Sequence, residues 1–359
     1  MTLQTVPVPL GEKSYHIEIG SDNLEHIGEV LETFAPVSSA VILTDRNVQQ
    51  LGYAQRVAEN VSLRGIDTNI LSIEAGEQSK TVETANALWN ALLEDGTDRR
   101  SVLLAVGGGV VGDIGGFVAA TFARGIRFFQ VPTTLLAQVD SSVGGKVGLD
   151  LPNAKNMVGA FHQPLGVLVD TQTLATLPDE QFLSGLGEVA KYAVSLDADL
   201  FQFLEQNTES VNKREPETLQ KIVVACCKLK AGIVAEDEFD TKGHRVLLNY
   251  GHTFGHVFEI MSKFTLLHGL AVAAGSIHAA KLALKLGLID ETLLNRHLAL
   301  FKALRLPTVL DTEIDWEQAA EIMQYDKKTE FGKLCLVLPT GPGQCQLIDD
   351  IGTKLVAES

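Results

Sequence analysis

Five short runs, residues 40–44, 69–73, 102–106, 128–131 and 167–170, are apolar on both faces instead of alternating. A strand of that kind has to be covered on both sides, which is the condition of a parallel sheet carrying helices on its two faces. Helical patterns at 80–94 and 110–122 lie between the runs, and this alternation implies a wound α/β sheet. The pattern changes at Leu177-Pro178-Asp179, where proline followed by acidic residues marks a helix start. From there helix follows helix, at 180–195, 200–206, 217–235, 252–264, 269–286 and 317–323. A late β pair, 333–338 and 344–348, flanks the turn sequence Pro339-Thr340-Gly341-Pro342-Gly343. The expectation is an α/β N-terminal domain over 1–177 with a mainly parallel sheet, and a mainly α-helical C-terminal domain over 178–359.

Composition narrows the function. Forty-five acidic and 29 basic side chains give a formal net charge of −16. Without a basic excess there are few counterions to release on a polyanion, which argues against a nucleic-acid or anionic-membrane binder. Any basic cluster in such a chain stands out as a local anion site. The four cysteines form no C-x-x-C pair, and a chain of this size needs no disulfide staples, so a reducing cytoplasm is expected. The first residues carry no basic region followed by an apolar run, so no secretory signal is expected. The longest apolar candidate for a membrane span, 102–120, is broken by glycines and Asp113.

Val106-Gly107-Gly108-Gly109-Val110-Val111-Gly112-Asp113 follows one expected strand and opens an expected helix. Gly107, Gly109 and Gly112 fit G-x-G-x-x-G, in which the backbone approaches a pyrophosphate and the helix N-terminus supplies N–H groups. The same glycines would also serve a tight turn packing a helix on a sheet. The ordinary dinucleotide fingerprint places an acidic residue roughly 20 positions on, after the next strand. Here that strand ends Val131-Pro132-Thr133-Thr134, so a dinucleotide would be held differently. Asp45, after the first run, could take ribose hydroxyls or cap a helix.

Asn249-Tyr250-Gly251-His252-Thr253-Phe254-Gly255-His256 sets two histidines four residues apart on one helix face. That spacing suits a divalent metal, and by itself it nominates His252 and His256. Thr253 stands where a zinc protease needs glutamate. Glu188 and Lys191 share a helix face among Leu186, Val189, Ala190 and Ala193, surroundings in which a charged pair reads as a site candidate. Arg124, Lys146, Lys155, Asn156, Lys230, Arg245 and the stretch Asp326-Lys327-Lys328 would be solvated charges singly. Together they could form a pocket for a substrate with two or more negative groups.

These residues sit in longer stretches: GEQSK (76–80), GGGVVGD (107–113), RGIRFFQVPTTLLAQVDSSVGGKVG (124–148), KNMVGAFHQP (155–164), GLGEVAKY (185–192), LNYGHTFGH (248–256), LHGLAVAAG (267–275) and DKK (326–328). In them the chain resembles the 3-dehydroquinate synthases over its whole length. The resemblance implies a dehydroquinate synthase-like fold, with NAD on a Rossmann-like sheet domain and one divalent metal, Zn or Co, in the helical domain. It implies conversion of 3-deoxy-D-arabino-heptulosonate 7-phosphate to 3-dehydroquinate and phosphate, the second step of the shikimate route to aromatic compounds. The steps would be transient NAD-dependent oxidation at C5, β-elimination of phosphate, reduction, ring opening and intramolecular aldol closure. A homodimer, with no nucleic-acid or membrane partner, is also implied.

Carried over by position, the resemblance makes Glu188, His252 and His268 the metal ligands and turns His256 into a proton-handling or phosphate-contacting residue. Asp140, Lys146, Lys155, Asn156, Lys191, Lys230, Arg245, Asn249 and His256 match polar active-site positions. Arg124 matches a residue that reaches into the partner subunit's site, and one of Lys327 and Lys328 matches a functional lysine. For NAD the matching positions are Asp45, Asn47, Gly76, Glu77, Gln78, Ser79, Lys80, Gly109, Val110, Val111, Gly112, Asp113, Thr133, Thr134, Thr173, Leu174, Ala175 and Thr176, with Lys146 and Lys155 shared with the substrate. Two departures are Ser79, where an aromatic residue is common, and Leu270, where an acidic one is. Another sugar phosphate cyclase or a metal-dependent alcohol dehydrogenase are the competing readings. The set Arg124, Lys191, Arg245, Asn249, His256 and 326–328 favours the synthase.

Overall fold

The computed structural model describes residues 2–152, 154–310, 314, 316–325, 334–352 and 355–356. Its strands are β1 (Gln4–Val8), β2 (Tyr15–Gly20), β3 (Ser39–Asp45), β4 (Asp67–Ile73), β5 (Val102–Gly107), β6 (Arg127–Pro132), β7 (Lys146–Leu151), β8 (Ala154–Phe161), β9 (Val167–Asp170), β10 (Leu334–Gly341) and β11 (Gln344–Ile351). The helices are α1 (Ile27–Glu32), α2 (Arg46–Gln50), α3 (Tyr53–Ser62), α4 (Val82–Glu94), α5 (Gly109–Thr121) and α6 (Asp179–Leu196). They continue with α7 (Ala198–Asn212), α8 (Pro216–Glu236), α9 (His252–Met261), α10 (His268–Lys285), α11 (Glu291–Ala303) and α12 (Trp316–Tyr325).

Seven strands form one sheet in the order β1-β2-β9-β6-β5-β3-β4, parallel except for the antiparallel edge pair β1–β2. All six residues of β5 are buried, and they divide by the two-residue period of a strand. Leu103 and Ala105 face a core built with Leu88 and Leu92 of α4 and Ile114 and Val118 of α5. Val102, Leu104 and Val106 face the opposite core, with Leu31 of α1 and Val57 and Val61 of α3. The order reverses at β3 and β5: the chain passes from β3 outward to β4, then returns to β5 and continues on the other side to β6. In open α/β sheets the carboxyl ends of strands at such a reversal are the usual ligand position. Here they carry Asp45 and Gly107.

Several segments differ from expectation. The sequence assigns no element between the runs 128–131 and 167–170, but a five-residue π-helical turn, Ala137–Ser141, and the antiparallel hairpin β7–β8 form there. Strand β8 is largely exposed and carries Lys155 and Asn156; Val147 and Leu149 of β7, with the half-buried Val158 and Ala160 of β8, tie the hairpin to the core under α5. The edge pair β1–β2 and helices α1, α2, α3 and α11 were likewise not anticipated.

The contacts divide the chain into two compact units, 1–177 with 230–239 and 178–229 with 240–359. A division at 177 alone would put Lys230–Phe239 with the helices. The segment clusters with the sheet unit, where Lys230 Nζ lies 2.8 Å from the Asp140 carboxylate and donates to the Asp140 carbonyl at 2.8 Å. The second unit contains α6, α7, α9, α10, α11 and the hairpin β10–β11.

His297 of α11 is wholly buried against Phe201, and neither ring nitrogen has a hydrogen-bond partner. Burial, aided by the neighbouring Arg296 charge, lowers its pKa to about 4. The folded state therefore refuses a proton that the unfolded chain accepts below its ordinary pKa near 6.5. The stability His297 confers is complete above that value and falls toward pH 4, by about 1.4 kcal/mol per pH unit. Urea unfolding between pH 7 and pH 5 should show His297→Leu losing that part of the slope; an unchanged slope would contradict the assignment.

Candidate functional site

Two glycines bring α6 against α10. A Cβ at Gly269 would overlap the Ser184 carbonyl, and one at Gly187 would overlap the Gly269 carbonyl, so only backbone fits at this crossing. The Ser184 hydroxyl accepts from Gly269 N at 3.1 Å and fixes the register. The contact places Glu188, next after Gly187, beside His268, the first residue of α10. Helix α9 adds His252 at its own first position.

One ligand atom from each of Glu188, His252 and His268 lies within 4.8 Å of the other two. Glu188 Oε1 is 3.7 Å from His252 Nε2 and 3.4 Å from His268 Nε2. Each ring's Nδ1 faces away, that of His252 to the Tyr250 carbonyl at 3.2 Å and that of His268 to Glu259 at 3.3 Å. Both imidazoles thus direct Nε2 inward. Glu188 is 1% exposed, and neither carboxylate oxygen has a hydrogen-bond partner of sound geometry. A buried carboxylate in that state needs a cation. Lys191 Nζ, 2.5 Å from Oε2, supplies one and also donates to the Leu248 carbonyl at 2.9 Å. Burial opposes ionisation of Glu188, but Lys191 and the two imidazoles outweigh it and hold the carboxyl well below its usual range. Burial keeps His252 neutral well below its usual range. It has the same tendency at His268, where the carboxylates of Glu188 and Glu259 prevail and raise the imidazole to about 10. One carboxylate and two imidazoles converging on a common point are a donor set for Zn or Co.

The spacing reading that paired His252 with His256 gives way to this set. The His256 ring lies 5.5 Å from that of His252 and 6.3 Å from that of His268, centroid to centroid. Glu259, one turn further along α9, carried no signal in the sequence, because its partner His268 lies nine residues away on another helix. Arg245 and Asn249 occupy the 3-10 segment His244–Asn249 just before α9, with Arg245 4% exposed.

In the sheet unit, Gly107 ends β5 and Gly109 opens α5, whose N-cap, Gly108, makes no side-chain capping bond. Val110, Val111, Gly112 and Asp113 follow in its first turn or just beyond. Asp45 caps α2, its Oδ1 accepting from Asn47 N at 2.8 Å and Val48 N at 3.0 Å. Buried Lys80 gathers the GEQSK stretch: its Nζ is 2.9 Å from Asp113 and 3.3 Å from Glu77, and donates to Asn156 Oδ1 at 2.6 Å. Desolvation opposes the charge on Lys80, but these acids raise its pKa; burial lifts Asp113 to about 6 against the pull of Lys80. Asp150, which no spacing pointed to, completes the group, receiving Asn156 N at 2.8 Å and donating its own N–H to the Lys80 carbonyl at 2.8 Å.

Gly76 begins the GEQSK turn at φ +105, Gln78 donates to the Ala75 carbonyl at 2.6 Å, and Ser79 donates to the Glu74 carbonyl at 2.7 Å. Thr133 is buried with an unpartnered hydroxyl, while the Thr134 hydroxyl accepts from Ala137 N at 3.2 Å. Thr173, Leu174 and Ala175 lie in a 3-10 turn after β9, and Thr176 follows it, in contact with the Tyr53 hydroxyl at 2.8 Å. Lys146 and Lys155 are exposed on the hairpin, and Arg124 is exposed at φ +66 after α5. Asp326, Lys327 and Lys328 lie outside the described residues.

Residues 70–184 match the family model for the 3-dehydroquinate synthase N-terminal region, and 185–329 match that for its C-terminal region. The chain belongs to the 3-dehydroquinate synthase family. A 3-dehydroquinate synthase of Rhodopirellula baltica is 43% identical, over 99% of this chain and 96% of that protein. Among solved structures, a 2-deoxy-scyllo-inosose synthase complexed with carbaglucose-6-phosphate, NAD⁺ and Co²⁺ superposes with TM-score 0.87 at 28% identity, over 99% of this chain and 98% of that one. A 2-epi-5-epi-valiolone synthase from Streptomyces hygroscopicus with NAD⁺ and Zn²⁺ bound gives 0.87 at 27% identity, over 100% and 97%. In this 3-dehydroquinate synthase family member the donor cluster hangs on a glycine crossing, so a methyl there should disturb both stability and site. Gly269→Ala should cost roughly 1–3 kcal/mol in urea unfolding and weaken zinc retention on dialysis; a variant matching the parent in both would refute the crossing's role.

Proposed function

We propose that this chain catalyses the 3-dehydroquinate synthase reaction, taking 3-deoxy-D-arabino-heptulosonate 7-phosphate to 3-dehydroquinate and phosphate. The observation that carries the reading is the near-full-length similarity to a 3-dehydroquinate synthase, joined to the convergent donors of Glu188, His252 and His268. NAD⁺ would accept and return the C5 hydride, and a divalent ion held by those three residues would polarise the neighbouring oxygens. The buried Glu188 Oε1, without a hydrogen-bond partner and facing the two Nε2 atoms, fits the ion. The uncapped start of α5 beside the β3–β5 reversal, with the unpartnered Thr133 hydroxyl, fits the dinucleotide.

The chain's own contribution is orientation and charge. Lys191 neutralises Glu188 and is itself pinned by the Leu248 carbonyl, so it stays as a fixed positive group. Lys230, bound to Asp140, and Lys80, bound to Asp113 and Glu77, are likewise held in one rotamer. Fixed charges cost no reorganisation when substrate charge develops. We assign Arg245, Asn249, His256, Lys146, Lys155 and one of Lys327 and Lys328 to the carboxylate, phosphate and hydroxyls of the substrate. His256 handles a proton and is not a metal ligand. The reading extends to a homodimer in which exposed Arg124 serves the partner subunit, and to the cytoplasm, where reduced thiols fit four cysteines with no disulfide. No helix among the described residues is long and apolar enough to cross a membrane.

Phosphate, cyclised product and net NADH should be measured together. Phosphate and product should appear in equal amounts with no NADH released, and deuterium at C5 of the substrate should be retained in the product. Stoichiometric NADH would replace the reading with that of a simple dehydrogenase, and loss of the label to water would remove the redox cycle. Chelation should abolish turnover and Zn²⁺ or Co²⁺ should restore it. Elemental analysis should find Glu188→Ala metal-free and His256→Ala still loaded; a metal-free His256 variant would overturn the ligand assignment.

A further inference from the structure

Helix α9 contributes more than a ligand and a nearby imidazole. His252, His256 and Glu259 stand at i, i+4 and i+7, so one face of the helix carries all three toward the same side. Glu259 is 6% exposed, an unusual position for a carboxylate. Its Oε2 lies 3.3 Å from His268 Nδ1, while His268 Nε2 lies 3.4 Å from Glu188 Oε1. The imidazole is therefore held at both nitrogens, with a carboxylate on the outward side and the donor cluster on the inward side. The end of α9 is itself fixed: the Glu259 carbonyl accepts from Ser262 Oγ at 2.9 Å and from Phe264 N at 2.7 Å. Leu270, two residues beyond His268, offers no carboxylate of its own.

We propose that Glu259 is a positioning residue for the metal centre: it accepts the Nδ1 proton of His268, fixes the tautomer that leaves the Nε2 lone pair for the ion, and sets the ring's orientation. The parallel contact at His252, from Nδ1 to the Tyr250 carbonyl, uses a neutral acceptor. Glu259 supplies the charged one, which makes the bound imidazole more basic. His268 is the ligand that needs it more, because its side chain is 35% exposed against 14% for His252, and water competes there for both ring nitrogens. This rests on the reading that Glu188, His252 and His268 bind a divalent ion.

The test measures equilibrium Zn²⁺ affinity of the metal-free full-length protein by competition with a chromophoric chelator, with the visible spectrum of the Co²⁺ form as a second readout. Glu259→Gln keeps the volume and an acceptor oxygen but removes the charge; Glu259→Leu removes both. Losses of roughly 10- to 100-fold are expected, larger for leucine, with a shifted Co²⁺ spectrum and partial recovery in Glu259→Asp. Urea unfolding of the metal-free forms should show Glu259→Gln as stable as the parent. Unchanged Zn²⁺ affinity in both Gln and Leu variants would overturn the proposal, and so would a Gln variant whose metal-free form is unfolded, since the role would then be structural. Glu188→Gln and His252→Ala separate the two readings. If they also bind Zn²⁺ with parental affinity, the metal assignment itself falls; if they lose the ion while the Glu259 variants keep it, only the role of Glu259 falls.

Discussion

The candidate site depends on one backbone crossing. Gly187 on α6 and Gly269 on α10 admit no side chain between them, so the two helices meet at a distance no other residue pair allows. The meeting of Glu188 with His268 follows, and a second close approach, Gly251 and Gly255 against Gly275, sets α9 and its His252 on α10. Glu188 is carried into an apolar interior next to His268, and a carboxylate there is tolerable only with positive charge close by. Lys191 supplies that charge from one turn along the same helix. The imidazoles direct Nε2 inward because carbonyl and carboxylate acceptors occupy their outer nitrogens. The arrangement is polar and buried, with Glu188 Oε2 paired to Lys191 and Oε1 turned toward the two Nε2 atoms.

The sheet unit solves a different problem. Its central strands are apolar on both faces, and the two cores on either side use up nearly all of their side chains. Function is then left to strand ends. The reversal between β3 and β5 opens a position at their carboxyl ends, and the chain there is glycine, short polar side chains and a helix start. Lys80 shows how charge is managed beside it. It is almost wholly buried, yet Asp113, Glu77 and Asn156 surround its ammonium, so the lysine braces the GEQSK turn, helix α5 and the hairpin against one another. Asp45, at the carboxyl end of β3, is engaged as the cap of α2.

The amino-acid sequence by itself determined the class of fold and the chemistry available. Two-faced apolar runs separated by helical patterns permit little besides a covered parallel sheet, and each of the five runs is a strand of that sheet. Specific stretches such as LNYGHTFGH carried the family, because several long matches do not arise together by accident. Local spacing misled at one point: it pairs His252 with His256, since four residues is all that periodicity can see. The family resemblance already replaced His256 with Glu188 and His268, and the structure brings those two to His252 from two other helices. Tertiary structure supplied the physical means of that meeting, a glycine crossing whose partners are some 80 residues apart in the chain. It also decided the roles of Glu259 and Asp150, ordinary acidic residues in sequence that become informative only when burial makes their partners obligatory. The hairpin β7–β8 was illegible for a related reason. The alternation of Val147, Leu149 and Leu151 in β7 is too short to announce a strand, and Val147 and Leu149, with Val158 and Ala160 of β8, dock under α5 to fix it. Periodicity records which faces are buried; which buried groups then touch is set by packing at a distance along the chain.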